Sequence, residues 1–198
     1  AIWFSDPDGA AHTYGIGSPE AMESIRIVDE KFGAIVSTLR ERGLLDRFNI
    51  IVTADHGFAT QVGTVSVRDF LMNSGFKSDE VVLAGNAIYV KDQDPKLIQN
   101  IVSVLQEQPW AGAIFTKASP KDTNLGWIEG TLSFESVHWQ HDRSADILFD
   151  YHWDDEPNKF GYAGRSHAKG VAGHGGASSH EITIPLIAAG PDFKSSYA

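Results

Sequence analysis

The run Asn49-Ile50-Ile51-Val52-Thr53-Ala54-Asp55-His56-Gly57 constrains this chain more than any other stretch. Its β-branched residues are apolar at successive positions instead of alternating, which predicts a strand covered on both faces, as in a parallel sheet. The strand runs without a spacer into two ionisable side chains and a glycine. Ending an apolar run with Asp and His wastes burial unless something pairs them, so Asp55 and His56 are candidate site residues at a strand's carboxyl end, where open α/β sheets bind ligands.

The residues before it extend the pattern. Ser18-Pro19-Glu20 is a helix start, with a hydroxyl to cap an orphan N–H and a proline that forfeits none. Met22, Ile25, Val28, Phe32, Ile35, Val36 and Leu39 recur at three- and four-residue steps, and Arg40, Arg42 and Gly43 supply the closing charges and stop. A long amphipathic helix is predicted here. Further upstream, Ile2-Trp3-Phe4 reads as the middle of another buried strand, ended by the turn-rich Ser5-Asp6-Pro7-Asp8-Gly9. Strand, helix and strand make a right-handed βαβ unit. The expectation is an α/β fold, a parallel-sheet core with helices on both faces. The mid-strand opening, with neither a starting Met nor a leader, predicts an N-terminally incomplete chain whose first core strand is missing.

Composition excludes several classes. In 198 residues, 16 Lys+Arg stand against 26 Asp+Glu, a net charge of −10. Such a balance argues against nucleic-acid duplex binding, which needs clustered cations. No apolar run approaches the roughly 18 residues that a membrane-spanning helix requires, so no membrane segment is expected. With 42% hydrophobic and 21% charged residues the chain can bury a core. Cysteine is absent, so any metal must be held by His and carboxylate.

The middle of the chain is less regular. Val67–Ser74 predicts a short helix, 81–90 a strand pair around Gly85-Asn86, and Pro95–Gln108 a helix capped by Asp94. Residues 113–116 and 145–151 read as strands. A late core strand is expected over 182–191, although Pro185 argues for an edge or a bend.

Three separated segments combine a strand, a turn and a metal-type ligand: Asp8 with His12, Asp55 with His56, and His174 inside Gly173-His174-Gly175-Gly176. A carboxylate and an imidazole four residues apart can share one turn and offer the hard and borderline ligands that zinc or manganese accept. For Asp8 and His12 alone, a turn residue and a surface histidine account for the pattern better. For Asp55-His56 a site is the stronger reading. His174 fits a ligand loop and an exposed loop about equally well.

Together the phrases Phe4-Ser5-Asp6-Pro7-Asp8-Gly9-Ala10-Ala11-His12-Thr13-Tyr14-Gly15, Thr53-Ala54-Asp55-His56-Gly57, Gly173-His174-Gly175 and Pro185-Leu186-Ile187-Ala188-Ala189-Gly190-Pro191 resemble the type I phosphodiesterase/nucleotide pyrophosphatase family of the alkaline phosphatase superfamily. The resemblance is strongest over residues 1–60 and 170–194. It implies an alkaline-phosphatase-like fold with an inserted smaller α+β subdomain: residues 1–60 and 170–198 as a metal-binding core, and 61–169 as an insertion or cap mixed with core elements. It also implies two divalent ions, zinc in the family. Asp8, His12 and His174 resemble the ligands of one, and Asp55 and His56 two ligands of the other. An Asp and a Thr or Ser nucleophile would complete the second ion from a segment upstream of this chain, so no catalytic nucleophile is expected within it.

The implied function is hydrolysis of phosphodiester or pyrophosphate bonds in small, nucleotide-like phosphoesters, with this fragment inactive alone. Phosphomonoesterase, phosphonate hydrolase, phosphoglycerate mutase and a non-catalytic zinc-binding domain remain alternatives. An extracytoplasmic location rests on the resemblance alone. His138, His141 and His152 with Trp139 and Trp153 read as solvated or half-buried surface groups in preference to a substrate-contacting cap. His167 and Lys169 could reach a phosphate, although a solvated surface cation accounts for Lys169 better; Glu181 could orient His174, and a surface position accounts for it at least as well.

Overall fold

Ser18 accepts a hydrogen bond from the Ala21 amide at 3.1 Å, and Pro19 occupies the first turn of a helix that runs 23 residues, Pro19–Glu41. Gly43, at φ +64°, turns the chain away from the helix end. The predicted helix is therefore present at the predicted place. The computed structural model describes residues 1–193, so the end of the core expected over 170–198 lies outside the described residues. The chain divides into two compact units. One comprises Ala1–Thr60, Asp155–Gly164 and the chain from Val171; the other comprises Gln61–Asp154 and Arg165–Gly170.

In the first unit, a short helix Asp8–Tyr14 precedes the long one. The strand expected at Ile2-Trp3-Phe4 is not formed. Residues 1–5 adopt no regular structure, and Ile2 and Trp3 are 66% and 74% exposed. Ile50–Thr53 is a strand, but its partner is Leu186–Ala189, antiparallel, with Ile50 opposite Ala189 and Thr53 opposite Leu186. The parallel βαβ pairing read from the sequence is thus corrected. A strand is made by a neighbour's N–H and C=O groups, and residues 186–189 supply them here. Coverage on both faces is not realised either, since Ile51 is 59% and Leu186 75% exposed. The late strand is shorter than the predicted 182–191, because Ser179–Ile182 is helical and the strand begins immediately after Pro185. A second antiparallel pairing sets Ala172 opposite Thr60 and Gly173 opposite Ala59.

The second unit is built around a seven-stranded sheet. Val81–Ala84 and Ala87–Val90 form the predicted hairpin, Ala84 opposite Ala87, with Gly85 at φ +58° in the turn. Ile147–Tyr151 pairs antiparallel with both Ala87–Val90 and Ala111–Thr116. Ala111–Thr116 also makes a parallel pair with Leu132–Ser133. The helix Val67–Asn73 is capped by Ser66. Asp94 caps Pro95–Gln106 through the amides of Lys96 (2.9 Å) and Leu97 (3.4 Å). Leu71, Ile88, Ile101, Leu105 and Ile147 are fully buried together. Each such side chain contributes about 2 kcal/mol of apolar burial. Among the described residues no helix is long and apolar enough to cross a membrane.

Candidate metal centre

The first unit brings its polar segments together through three local devices. The helix Asp8–Tyr14 puts Asp8 in its first turn and His12 in its last, so residues four apart share one face. The strand Ile50–Thr53 delivers Asp55 and His56 just beyond its end. Pairing of Gly173 with Ala59 then sets His174, the next residue, beside the segment that carries His56. A site assembled from three distant stretches results from one short helix and two antiparallel registers.

Asp8 Oδ1 is the focus. It lies 3.4 Å from His174 Nε2, 3.6 Å from His12 Nε2 and 3.7 Å from His56 Nε2. All three distances exceed a normal N–H···O hydrogen bond. Asp8 Oδ1 is buried and, among the described residues, has no hydrogen-bond partner. His12 Nδ1 donates to the Ala172 carbonyl at 2.9 Å, and His56 Nδ1 donates to the Gly57 carbonyl at 2.9 Å. In the neutral rings both Nε2 lone pairs therefore face a carboxylate oxygen. Lone pairs aimed at one another repel, and a cation among them removes the conflict. Asp8, His12 and His174 each offer a ligand atom within 4.8 Å of the others. Asp55 Oδ2 lies 3.6 Å from His56 Nε2, on the exposed side.

The electrostatics favour a neutral ring at His174. Burial, and then the neighbouring His56, hold His174 below the ordinary histidine range; His12 adds to this, while Asp8 and Asp55 oppose it. The His56 and His174 rings stack at 3.4 Å between centroids and 12° between planes, an arrangement two imidazolium ions would resist. Phe58 meets His12 edge-on at 4.9 Å and His174 at 5.3 Å. It gives the centre an apolar wall that the sequence pattern had not singled out.

Glu181 sits elsewhere than the role of orienting His174 directly would require. Its carboxylate accepts the Gly176 amide at 2.9 Å and the Ser178 hydroxyl at 2.6 Å, so it holds the loop backbone. Its peptide carbonyl accepts the Gly57 amide at 2.7 Å. Gly57 is needed for that approach, since a Cβ there would stand 2.1 Å from the His180 carbonyl oxygen. Asn158 ties two other segments of the same unit together. Its amide donates to the Ile16 carbonyl and to Thr60 Oγ1, both at 3.0 Å. No sequence signal identified Asn158, because its partners are distant in the chain. His152 and His167 belong to the second unit, where their rings meet edge-on at 5.1 Å. His141 Nδ1 accepts the Arg143 amide, and His138 closes a 3-10 turn at φ +52°.

The sequence model of the type I phosphodiesterase/nucleotide pyrophosphatase family matches residues 1–156. The chain belongs to this family. Human ectonucleotide pyrophosphatase/phosphodiesterase family member 7 is 41% identical over 59 residues, 30% of this chain and 13% of that protein. Mouse bis(5'-adenosyl)-triphosphatase enpp4 is 40% identical over 60 residues, again 30% and 13%. Among solved structures, murine ectonucleotide pyrophosphatase/phosphodiesterase 5 superposes with a TM-score of 0.68 at 20% identity, over 98% of this chain and 47% of that one. An inactive variant of the same murine protein was solved in complex with AMP. A mutant of the alkaline phosphatase PafA gives 0.65 at 15% identity, over 91% and 37%. These likenesses establish an alkaline-phosphatase-like α/β fold, and the chain spans about half the length of the murine structure.

Proposed function

We propose that this chain is the metal-binding part of a hydrolase that cleaves phosphodiester or pyrophosphate bonds in small, nucleotide-like substrates. One observation carries the reading: a buried carboxylate oxygen, Asp8 Oδ1, without a hydrogen-bond partner among the described residues and faced by the Nε2 atoms of three histidines. Family membership supplies the reaction class. Two similar proteins, a bis(5'-adenosyl)-triphosphatase and one whose inactive variant was solved with AMP, support the nucleotide-like substrate.

Asp8, His12 and His174 would hold one divalent ion, and Asp55 and His56 would give two ligands to a second. One carboxylate with imidazoles is a donor set that suits zinc. Ions bound there would offset charge on the phosphoryl oxygens and lower the pKa of an attacking hydroxyl or water. The residues of this chain do the positioning. The Nδ1 bonds of His12 and His56 fix the tautomers that present Nε2 to the centre, and Phe58 excludes water from one side. The nucleophile, a Thr or Ser, and one further Asp ligand are assigned to a segment outside these residues. The chain alone would then retain one tight ion and turn over no phosphoester.

The test is zinc affinity of this chain by chelator competition, together with hydrolysis of bis(4-nitrophenyl) phosphate by a longer protein carrying the upstream segment. One tight equivalent for the chain, lost in His174→Ala and kept in His180→Ala, with chelator-sensitive turnover in the longer protein, is the expected result. Tight zinc without turnover of any phosphoester by the longer protein would replace the hydrolase with a non-catalytic zinc-binding domain.

A further inference from the structure

Glu181 bonds both to the loop carrying His174 and to the segment carrying Asp55 and His56. Glu181 is buried, and its two carboxylate oxygens are used separately: Oε1 accepts the Gly176 amide at 2.9 Å, and Oε2 accepts the Ser178 hydroxyl at 2.6 Å. Its main chain works in the other direction. The Glu181 carbonyl accepts the Gly57 amide at 2.7 Å, and the adjacent His180 carbonyl accepts the Phe58 amide at 2.9 Å. The side chain thus restrains the loop two residues beyond His174, while the backbone restrains the residue that follows His56. Ser178 has no exposed surface, so its hydroxyl has no ready replacement partner in water.

From this arrangement we infer that Glu181 is a positioning residue that sets the spacing between His174 and His56 and thereby the affinity of the centre for a divalent ion. The inference rests on the reading of Asp8, His12 and His174 as ligands. A buried carboxylate is costly unless its lone pairs are answered, and here they are answered by the loop that carries a candidate ligand. Hydrogen bonds to a charged acceptor are stronger than neutral ones. Their loss frees Gly175 and Gly176, which lack the side chains to restrain the loop themselves. Glu181 touches neither an ion nor a substrate in this account. It acts through the backbone of its neighbours.

The experiment is zinc binding to this chain by competition with a chromophoric chelator, for the wild type, Glu181→Ala, Glu181→Gln, Ser178→Ala and His174→Ala, with urea unfolding of each in the absence of metal. Loss of an outer partner of a metal ligand weakens affinity by about 10- to 100-fold, and that is the change expected for Glu181→Ala. Glu181→Gln keeps one acceptor for the Gly176 amide and should recover most of the affinity. A purely structural residue would shift the metal-free unfolding midpoint and leave the zinc affinity of the folded protein unchanged. Folded Glu181→Ala binding zinc as the wild type does, while His174→Ala does not, overturns the inference alone. If His174→Ala also binds as the wild type does, the ligand reading beneath it fails. Should Glu181→Ala not fold, Ser178→Ala decides: a loss of about threefold to tenfold, the worth of one hydrogen bond, supports the inference, and equal affinity overturns it.

Discussion

Where the second unit buries Leu71, Ile88, Ile101, Leu105 and Ile147 completely, the first leaves Met22, Ile25, Ile51, Leu186 and Ile187 in contact with solvent. Interior polar groups differ as well. In the second unit the buried Asp146 accepts the Val90 amide at 2.7 Å, and the Thr116 and Thr131 hydroxyls bond each other at 2.8 Å. In the first, Asp8 Oδ1 is buried with no hydrogen-bond partner among the described residues. One unit holds its geometry through apolar packing, which is indifferent to metal and nearly so to pH. The other arranges its polar cluster through directed bonds from Glu181 and two histidine Nδ1 atoms, around a point that is electrostatically incomplete. Perturbations that separate packing from charge should therefore separate the units.

Core truncation gives the largest contrast. Ile101→Ala empties space at a site with no exposed surface, which costs about 2–5 kcal/mol when the surroundings cannot collapse. Ile187→Ala acts on a strand residue that is 60% exposed, and surface changes of that kind stay near 0.5 kcal/mol. Urea midpoints at equal slope measure both. Equal losses would mean that the Leu186–Ala189 strand is covered in solution, and the contrast between units would break.

The same division explains which parts of the structure could be read from sequence. The helices Pro19–Glu41 and Pro95–Gln106 were legible because Ser18 and Asp94 satisfy amides two or three residues away, so the signal and its partner share one short window. The strand at Ile2-Trp3-Phe4 misled for the opposite reason. Its apolar run reports a preference for extended chain but not whether a neighbour exists to pair with it. The antiparallel partner of Ile50–Thr53 lies more than a hundred residues onward, and no local pattern encodes that choice. Asp8 and His12 showed a four-residue spacing, yet the helix that carries them is 7 residues long and contains Gly9 and Thr13, too short and too weak in propensity to predict. The partners of Glu181 were not legible, because one is a backbone amide, which every residue but proline carries, and the other is one of many serine hydroxyls.

A smaller effect should come from Asp8→Asn. In the metal-free protein the carboxylate faces lone pairs without a donor between them. An asparagine removes the charge and can turn an amide N–H toward one Nε2. The variant is expected to be as stable as the wild type or more so, by about 1 kcal/mol, while losing more zinc affinity than Glu181→Ala. Destabilisation of the metal-free variant would show that Asp8 is already satisfied, and the first unit would then be no less complete than the second.

Acid sensitivity provides the finest comparison. Burial and the neighbouring His56 lower the His174 pKa in the folded state, so between that midpoint and the ordinary histidine value the unfolded chain binds more protons. Stability therefore rises with pH across this window. The contribution is fully present above the ordinary histidine pKa and is lost as pH falls through the depressed one. It is small because the ring is 31% exposed and solvent screens its neighbours. Urea midpoints of the metal-free protein between about pH 5 and pH 7 should fall on acidification, and His174→Ala should remove part of that slope. An unchanged slope in His174→Ala would mean that the ring protonates freely beside Asp8. An imidazolium would then supply the positive charge that the three Nε2 atoms otherwise leave to a metal, and the contrast with the apolar unit would rest on packing alone.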